Sequence, residues 1–184
     1  DQFGVSAKVD YDFESVTLTS ITSYDTVDSF SQADIDGGLQ GGPEAIGVLG
    51  GQAFFSASSG DGLSDHSQFT QELRLSGQRD NLFYQVGFYY FDEDITVDSA
   101  DFDNTGAPVA LTQVDQETQS AALFGQIVYD MTDRFSLTVG MRYTNDEKDL
   151  EVIPRAGSTA PAATISDDDS YFSWELAGNY EVNT

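Results

Sequence analysis

Few residues in this chain are of a type that does chemistry. Its single histidine, His66, lies in the run GLSDHSQ beside Ser64, Asp65 and Ser67. Serine, histidine and aspartate together suggest nucleophilic catalysis, which needs the three side chains to converge. Immediate neighbours in one loop are badly placed to do so, and the sequence reads as carrying a solvated loop histidine and no enzyme. A second candidate is DFDNTG, where Asp101, Asp103, Thr105 and Gly106 resemble the opening of a calcium loop. Its twelfth position is Thr112 instead of glutamate, so the bidentate ligand is missing. Neither a metal nor a cofactor is expected. The runs FDED (residues 91–94) and SDDDS (166–170) read as solvated loop acid, or as carboxylates that attract divalent cations.

The glycine-rich run GGPEAIGVLGGQAF, residues 41–54, suits one or two helical turns with Pro43 at the first helical position. A phosphate cradle would need a strand before the glycines and a full helix after them. Neither is visible. Seven Lys plus Arg against 32 Asp plus Glu give a net charge of −25 over 184 residues. No basic stripe exists to neutralise phosphates, which argues against a nucleic-acid partner. With no cysteine, disulfides and thiolate metal sites are impossible. No apolar run approaches the roughly 18 residues of a membrane-spanning helix.

The elements that would position these residues are strands. In DRFSLTVGMRYT, Phe135, Leu137, Val139, Met141 and Tyr143 fall on one parity and Ser136, Thr138, Gly140, Arg142 and Thr144 on the other. That is a strand with one oily face. Seven segments behave this way, at residues 3–11, 16–24, 69–77, 82–91, 120–129, 135–144 and 172–182. Each is about 9–11 residues long, the length at which a tilted strand crosses a bilayer's hydrocarbon. Short connections (12–15, 78–81, 130–134) alternate with long ones (25–68, 92–118, 145–170). Short turns at one end and long loops at the other describe an outer-membrane barrel.

The charges fit the same picture. Lys8, Arg74 and Arg142 lie on the polar parity of their strands, and the other four basic residues lie in turns or loops. A soluble β-sandwich would also keep charge off its core-facing parity. The aromatics break the tie, because they gather near strand ends as two interfacial girdles would. Tyr11, Tyr129, Phe135 and Tyr180 lie beside the short turns, and Tyr24, Phe69, Tyr90, Tyr143 and Phe172 toward the long loops, with Trp174 on the same oily parity. On this reading the oily face meets lipid and Arg142 points into a wet lumen.

The run SAALFGQIVYDMTDRFSLTVGMRYTNDEKD (120–149) resembles the barrel of TonB-dependent outer-membrane receptors, as do LTSITSY (18–24), FTQELRLSG (69–77), YQVGFYYFDED (84–94) and YFSWELAGNYEVNT (171–184). The resemblance implies an all-β, antiparallel up-and-down meander of about seven strands, part of a 22-stranded transmembrane barrel with a plug domain in its lumen. It implies energy-coupled uptake of a scarce ligand such as a ferric siderophore, cobalamin or an oligosaccharide, in the outer membrane of a Gram-negative bacterium. The partners it implies are outer-membrane lipid and lipopolysaccharide, and the energy-transducing protein TonB through a missing N-terminal region. Residues 1–184 read as a partial barrel in which the plug domain and the energy-coupling box are absent. Seven strands in this length scale to roughly 580 residues for the 22 strands of a plugged transporter.

If that holds, Tyr89 and Phe91 face the lumen near the long-loop end, where external ligand arrives, and with Arg142 they are the ligand-contact candidates. The alternative for Tyr89 and Phe91 is packing against the plug or a folded-in loop. Two other functions stay open on the sequence: a secreted or surface β-sandwich serving adhesion or calcium binding, and a passive porin.

Overall fold

Alternating sequences form strands because successive side chains point to opposite faces, and strand is the dominant structure here. The computed structural model describes residues 1–34, 58–102 and 107–182. The glycine-rich run 41–54 and positions 103–106 of the calcium-loop candidate lie outside the described residues. The described residues form eight strands: β1 (Gln2–Asp12), β2 (Val16–Val27), β3 (Ser29–Asp34), β4 (Ser58–Arg79), β5 (Leu82–Phe102), β6 (Pro108–Thr132), β7 (Phe135–Pro154) and β8 (Ala163–Tyr180). They form one antiparallel sheet in the order β1-β2-β4-β5-β6-β7-β8. The six-residue β3 pairs with β4 where β2 leaves off. The seven strands legible in the sequence are thus the meander itself, and β3 is the addition.

The structure differs from the sequence reading at the long connections, much of which is ladder. β5 and β6 stay paired from Leu82 opposite Tyr129 out to Phe102 opposite Pro108. β7 and β8 stay paired out to Val152 opposite Ala163. The physical reason is that backbone N–H and C=O groups need partners whatever their side chains are. A hairpin already in register keeps supplying them, even where no single oily parity marks the strand.

At the other end the turns are tight. Asp80 adopts φ 54° between β4 and β5, a left-handed conformation that Asp tolerates better than most residues. Asn81 then ties this turn to the next, donating from Nδ2 to the Asp130 carbonyl at 2.9 Å. Between β6 and β7 the Thr132 hydroxyl accepts from the Phe135 N–H at 3.0 Å, which closes that turn.

Among the described residues no second layer covers the sheet. Every pair of contacting strands is a pair of hydrogen-bonded neighbours, so no strand packs across a face. Among the described residues other than glycine, only Thr19, Ala122 and Thr144 are buried. A sandwich needs two sheets with interdigitating inner faces. The described residues form a single layer, and the sandwich alternative is corrected on that ground.

Candidate functional site

Register decides which residues share a face, because a one-residue slip moves a whole strand's side chains to the other side. From β1 to β8 the pairing puts Val9, Leu18, Leu73, Leu75, Val86, Phe88, Leu123, Ile127, Val139, Met141 and Leu176 on one face. All of these are exposed. The girdle candidates Tyr11, Tyr24, Phe69, Tyr90, Tyr129, Phe135, Tyr143, Trp174 and Tyr180 lie on that same face. Trp174 sits between Phe172 and Leu176 and is 73% exposed. A polar cluster interrupts the face at β2 and β4, where Thr22 donates to Gln71 Oε1 at 2.6 Å and Gln71 Nε2 donates to Ser20 at 3.1 Å.

The opposite face is built from three successive rows across β5, β6, β7 and β8. Phe91, Ser120, Asp146 and Asp169 form one row; Tyr89, Ala122, Thr144 and Tyr171 the next; Gly87, Phe124, Arg142 and Ser173 the third. The three ligand-contact candidates Tyr89, Phe91 and Arg142 therefore share one face, and the structure brings two of them together. The Arg142 guanidinium lies over the Tyr89 ring, 5.6 Å from its centroid, within cation–π range. Arg142 Nε donates to the Thr144 hydroxyl at 3.0 Å. Between their strands Ala122 is almost wholly covered at 2% exposed.

Other side chains complete this face. The Phe124 ring covers Gly87 directly opposite, where a Cβ would collide with it and come within 2.9 Å of the Leu73 carbonyl. Glu72, opposite Tyr89, is 3.4 Å from Arg74, and Ser120 donates to Asp146 beside Phe91. Lys8 pairs with Asp10 at 2.9 Å, and Asp10 also accepts from Thr19 at 2.6 Å. Chemically this is a wall of aromatic rings and paired charges, suited to holding a ligand or a packed surface by stacking and hydrogen bonds. Sequence reasoning missed Ala122, Phe124 and Thr144, because parity gives a residue's face and only register gives its neighbours.

A match to a family model, described as TonB dependent receptor-like, beta-barrel, covers residues 1–184. The chain belongs to the TonB-dependent receptor β-barrel family. Two solved structures share its fold. The ferric yersiniabactin uptake receptor FyuA from Yersinia pestis aligns with TM-score 0.76 and 14% identity, over 99% of this chain and 26% of that one. The siderophore receptor PiuA from Acinetobacter baumannii aligns with TM-score 0.68 and 14% identity, over 99% of this chain and 30% of that one. This TonB-dependent receptor chain thus spans less than a third of either. No curated protein sequence matches it.

The remaining sequence candidates of this TonB-dependent receptor chain lie nearer the long connections. His66 faces the same side as Tyr89, with Nε2 3.2 Å from Glu93 Oε1. Its neighbours Asp65 and Ser67 point to the other face, and Ser64 occupies a bulge, so serine, histidine and aspartate do not converge. Asp101 lies in β5 and Thr112 in β6. The FDED run is part of β5 and SDDDS part of β8. Among the described residues no three His, Asp or Glu side chains are grouped to hold a metal ion.

Proposed function

We propose that this chain is part of the wall of an outer-membrane uptake receptor, with its apolar face in lipid and its polar face in the lumen. The carrying observation is that, between the two levels of girdle aromatics, this face bears no charged side chain across six consecutive strand pairings and is apolar apart from the Ser20, Thr22 and Gln71 cluster, in a sheet on which the described residues place no second layer. Such a surface needs an apolar solvent outside the chain. Residues 1–184 are then a partial barrel, closed by strands beyond this chain against the open edges of β1 and β8. A plug domain and an energy-coupling box outside this chain link it to TonB, and lipid and lipopolysaccharide surround it. Family membership favours this energy-coupled reading over a passive porin.

The transported ligand is a scarce one, a ferric siderophore before cobalamin or an oligosaccharide, since one similar solved structure is a ferric yersiniabactin uptake receptor and the other a siderophore receptor. Tyr89, Phe91 and Arg142 are its lumenal contacts on this wall. The test is deletion of the parent gene in its host, followed by growth under iron limitation, under cobalamin limitation and on oligosaccharides as sole carbon source. A defect confined to iron limitation is expected. A parent protein absent from the outer membrane, with no growth defect in any condition, would overturn the reading.

A further inference from the structure

The faces of the sheet exchange character along its length. On β5 the even positions are apolar from Leu82 to Tyr90 and then turn polar at Asp92, Asp94, Thr96 and Asp98, while Ile95 and Val97 appear on the odd parity. The neighbours switch at the same level. On β6, Gln119, Glu117 and Asp115 continue the lipid parity of Leu123, and Val114 takes the other. On β7, Glu147, Asp149 and Glu151 follow Tyr143, and Leu150 and Val152 take the other; on β8, Asp168 and Ser166 follow Phe172, and Ile165 takes the other. Pairing aligns these exchanged residues. Leu63 lies opposite Val97, Val97 opposite Val114, Val114 opposite Val152, and Ile95 is linked through Gln116 to Leu150 and Ile165.

The bulge at Ser64 keeps β4 in step, because it returns Leu63 to the face shared by His66 and Val97. A continuous apolar patch across five strands therefore lies on the inner face beyond the lipid band, while the outer face there is acidic. β6 has 25 residues, and at about 3.4 Å per residue it is far longer than a bilayer's hydrocarbon requires, even tilted. The patch thus stands outside the membrane on the long-connection side, facing the barrel axis.

Charge selects what this patch takes. Its inner-face borders carry Glu93 and Asp167 toward the membrane and Asp61 and Asp101 away from it, against Lys148. His66, beside Ile95 and Glu93, has a buried Nδ1 without a hydrogen-bond partner. We propose that Leu63, Ile95, Val97, Val114, Leu150, Val152 and Ile165 form an entry subsite for a ligand with exposed apolar or aromatic groups and no net negative charge. The proposal rests on the membrane orientation argued above and narrows the ligand class: the acidic border repels anions, leaves neutral molecules unhindered and accumulates cationic ones.

The experiment uses the full-length receptor on intact cells, since this chain itself has no cysteine. Val97→Cys and Val114→Cys are labelled with a membrane-impermeant maleimide, alone and with a cationic rhodamine or an anionic fluorescein as protectant. Asp98→Cys, on the outer face, is the control. The proposal expects ready labelling at all three positions, and severalfold protection of 97 and 114 by the cationic dye only. Labelling at 98 but not at 97 or 114 would mean the receptor's own chain covers the patch, and would overturn the proposal. Free labelling without protection, or equal protection by both dyes, would overturn it too. Heat-modifiable gel mobility of the same samples checks barrel assembly separately, so failure of the orientation itself reads differently from failure of the subsite.

Discussion

At the scale of single residues, the Tyr89 and Arg142 pair depends on what lies between and beside it. Ala122 is covered at 2% exposed and Thr144 at 1%, so neither position has room for a larger side chain. Ala122→Leu is expected to push Tyr89 and Arg142 apart and to lower ligand affinity while leaving the protein in the membrane. Ligand titration of purified receptor checks this, and unchanged affinity would mean the pair does not touch ligand. Thr144→Val removes the acceptor of Arg142 Nε and is expected to cost about 1 kcal/mol of stability, read as a lowered unfolding midpoint. Tyr89→Ala and Phe91→Ala should each weaken ligand binding at normal expression. Normal affinity in both variants would assign these rings to packing against the plug.

Among the strands, two faces and two levels along the sheet differ in character. Leu123→Arg, on the apolar face of β6, is expected to destabilise the barrel by about 2–4 kcal/mol if the residue lies near the bilayer midplane, whereas Gln126→Arg on the other face should be tolerated. Urea titration in lipid vesicles distinguishes them. Backbone amides of residues 93–101 and 111–118 are expected to exchange slowly with deuterium, because they belong to the β5 and β6 ladder. Fast exchange there would restore the long loops that the sequence suggests.

The strands of the apolar band were legible because one parity stays apolar for the band's whole height, as from Phe135 to Tyr143. The extensions were not, because Ile95, Val97, Leu150 and Val152 sit on the opposite parity from the band that precedes them. A single alternation rule therefore sees the pattern end at Tyr90 or Tyr143. The Ser64 bulge hid the part of β4 that precedes Phe69 in the same way, since it breaks parity at Leu63. As for the candidate site, alternation placed Tyr89, Phe91 and Arg142 on one face, but the Arg142 contact with Tyr89 needed the pairing of β5, β6 and β7.

At the scale of the whole molecule, a sheet whose eight described strands leave their apolar side chains exposed or only half-buried, Ala122 apart, is stable only with a solvent for one face and neighbours for its edges. On the proposed function, bilayer is the first and the rest of the barrel supplies the second. The most direct test is a nitroxide scan of β7 in the full-length receptor reconstituted in lipid, with collision rates measured against oxygen and a water-soluble nickel chelate. Labels at 137, 139 and 141 are expected to favour oxygen and those at 136, 138 and 140 not to, with the alternation giving way to water exposure beyond Asn145. Equal collision rates at odd and even positions, or labels inaccessible to both reagents, would contradict the claim that this face lies in lipid.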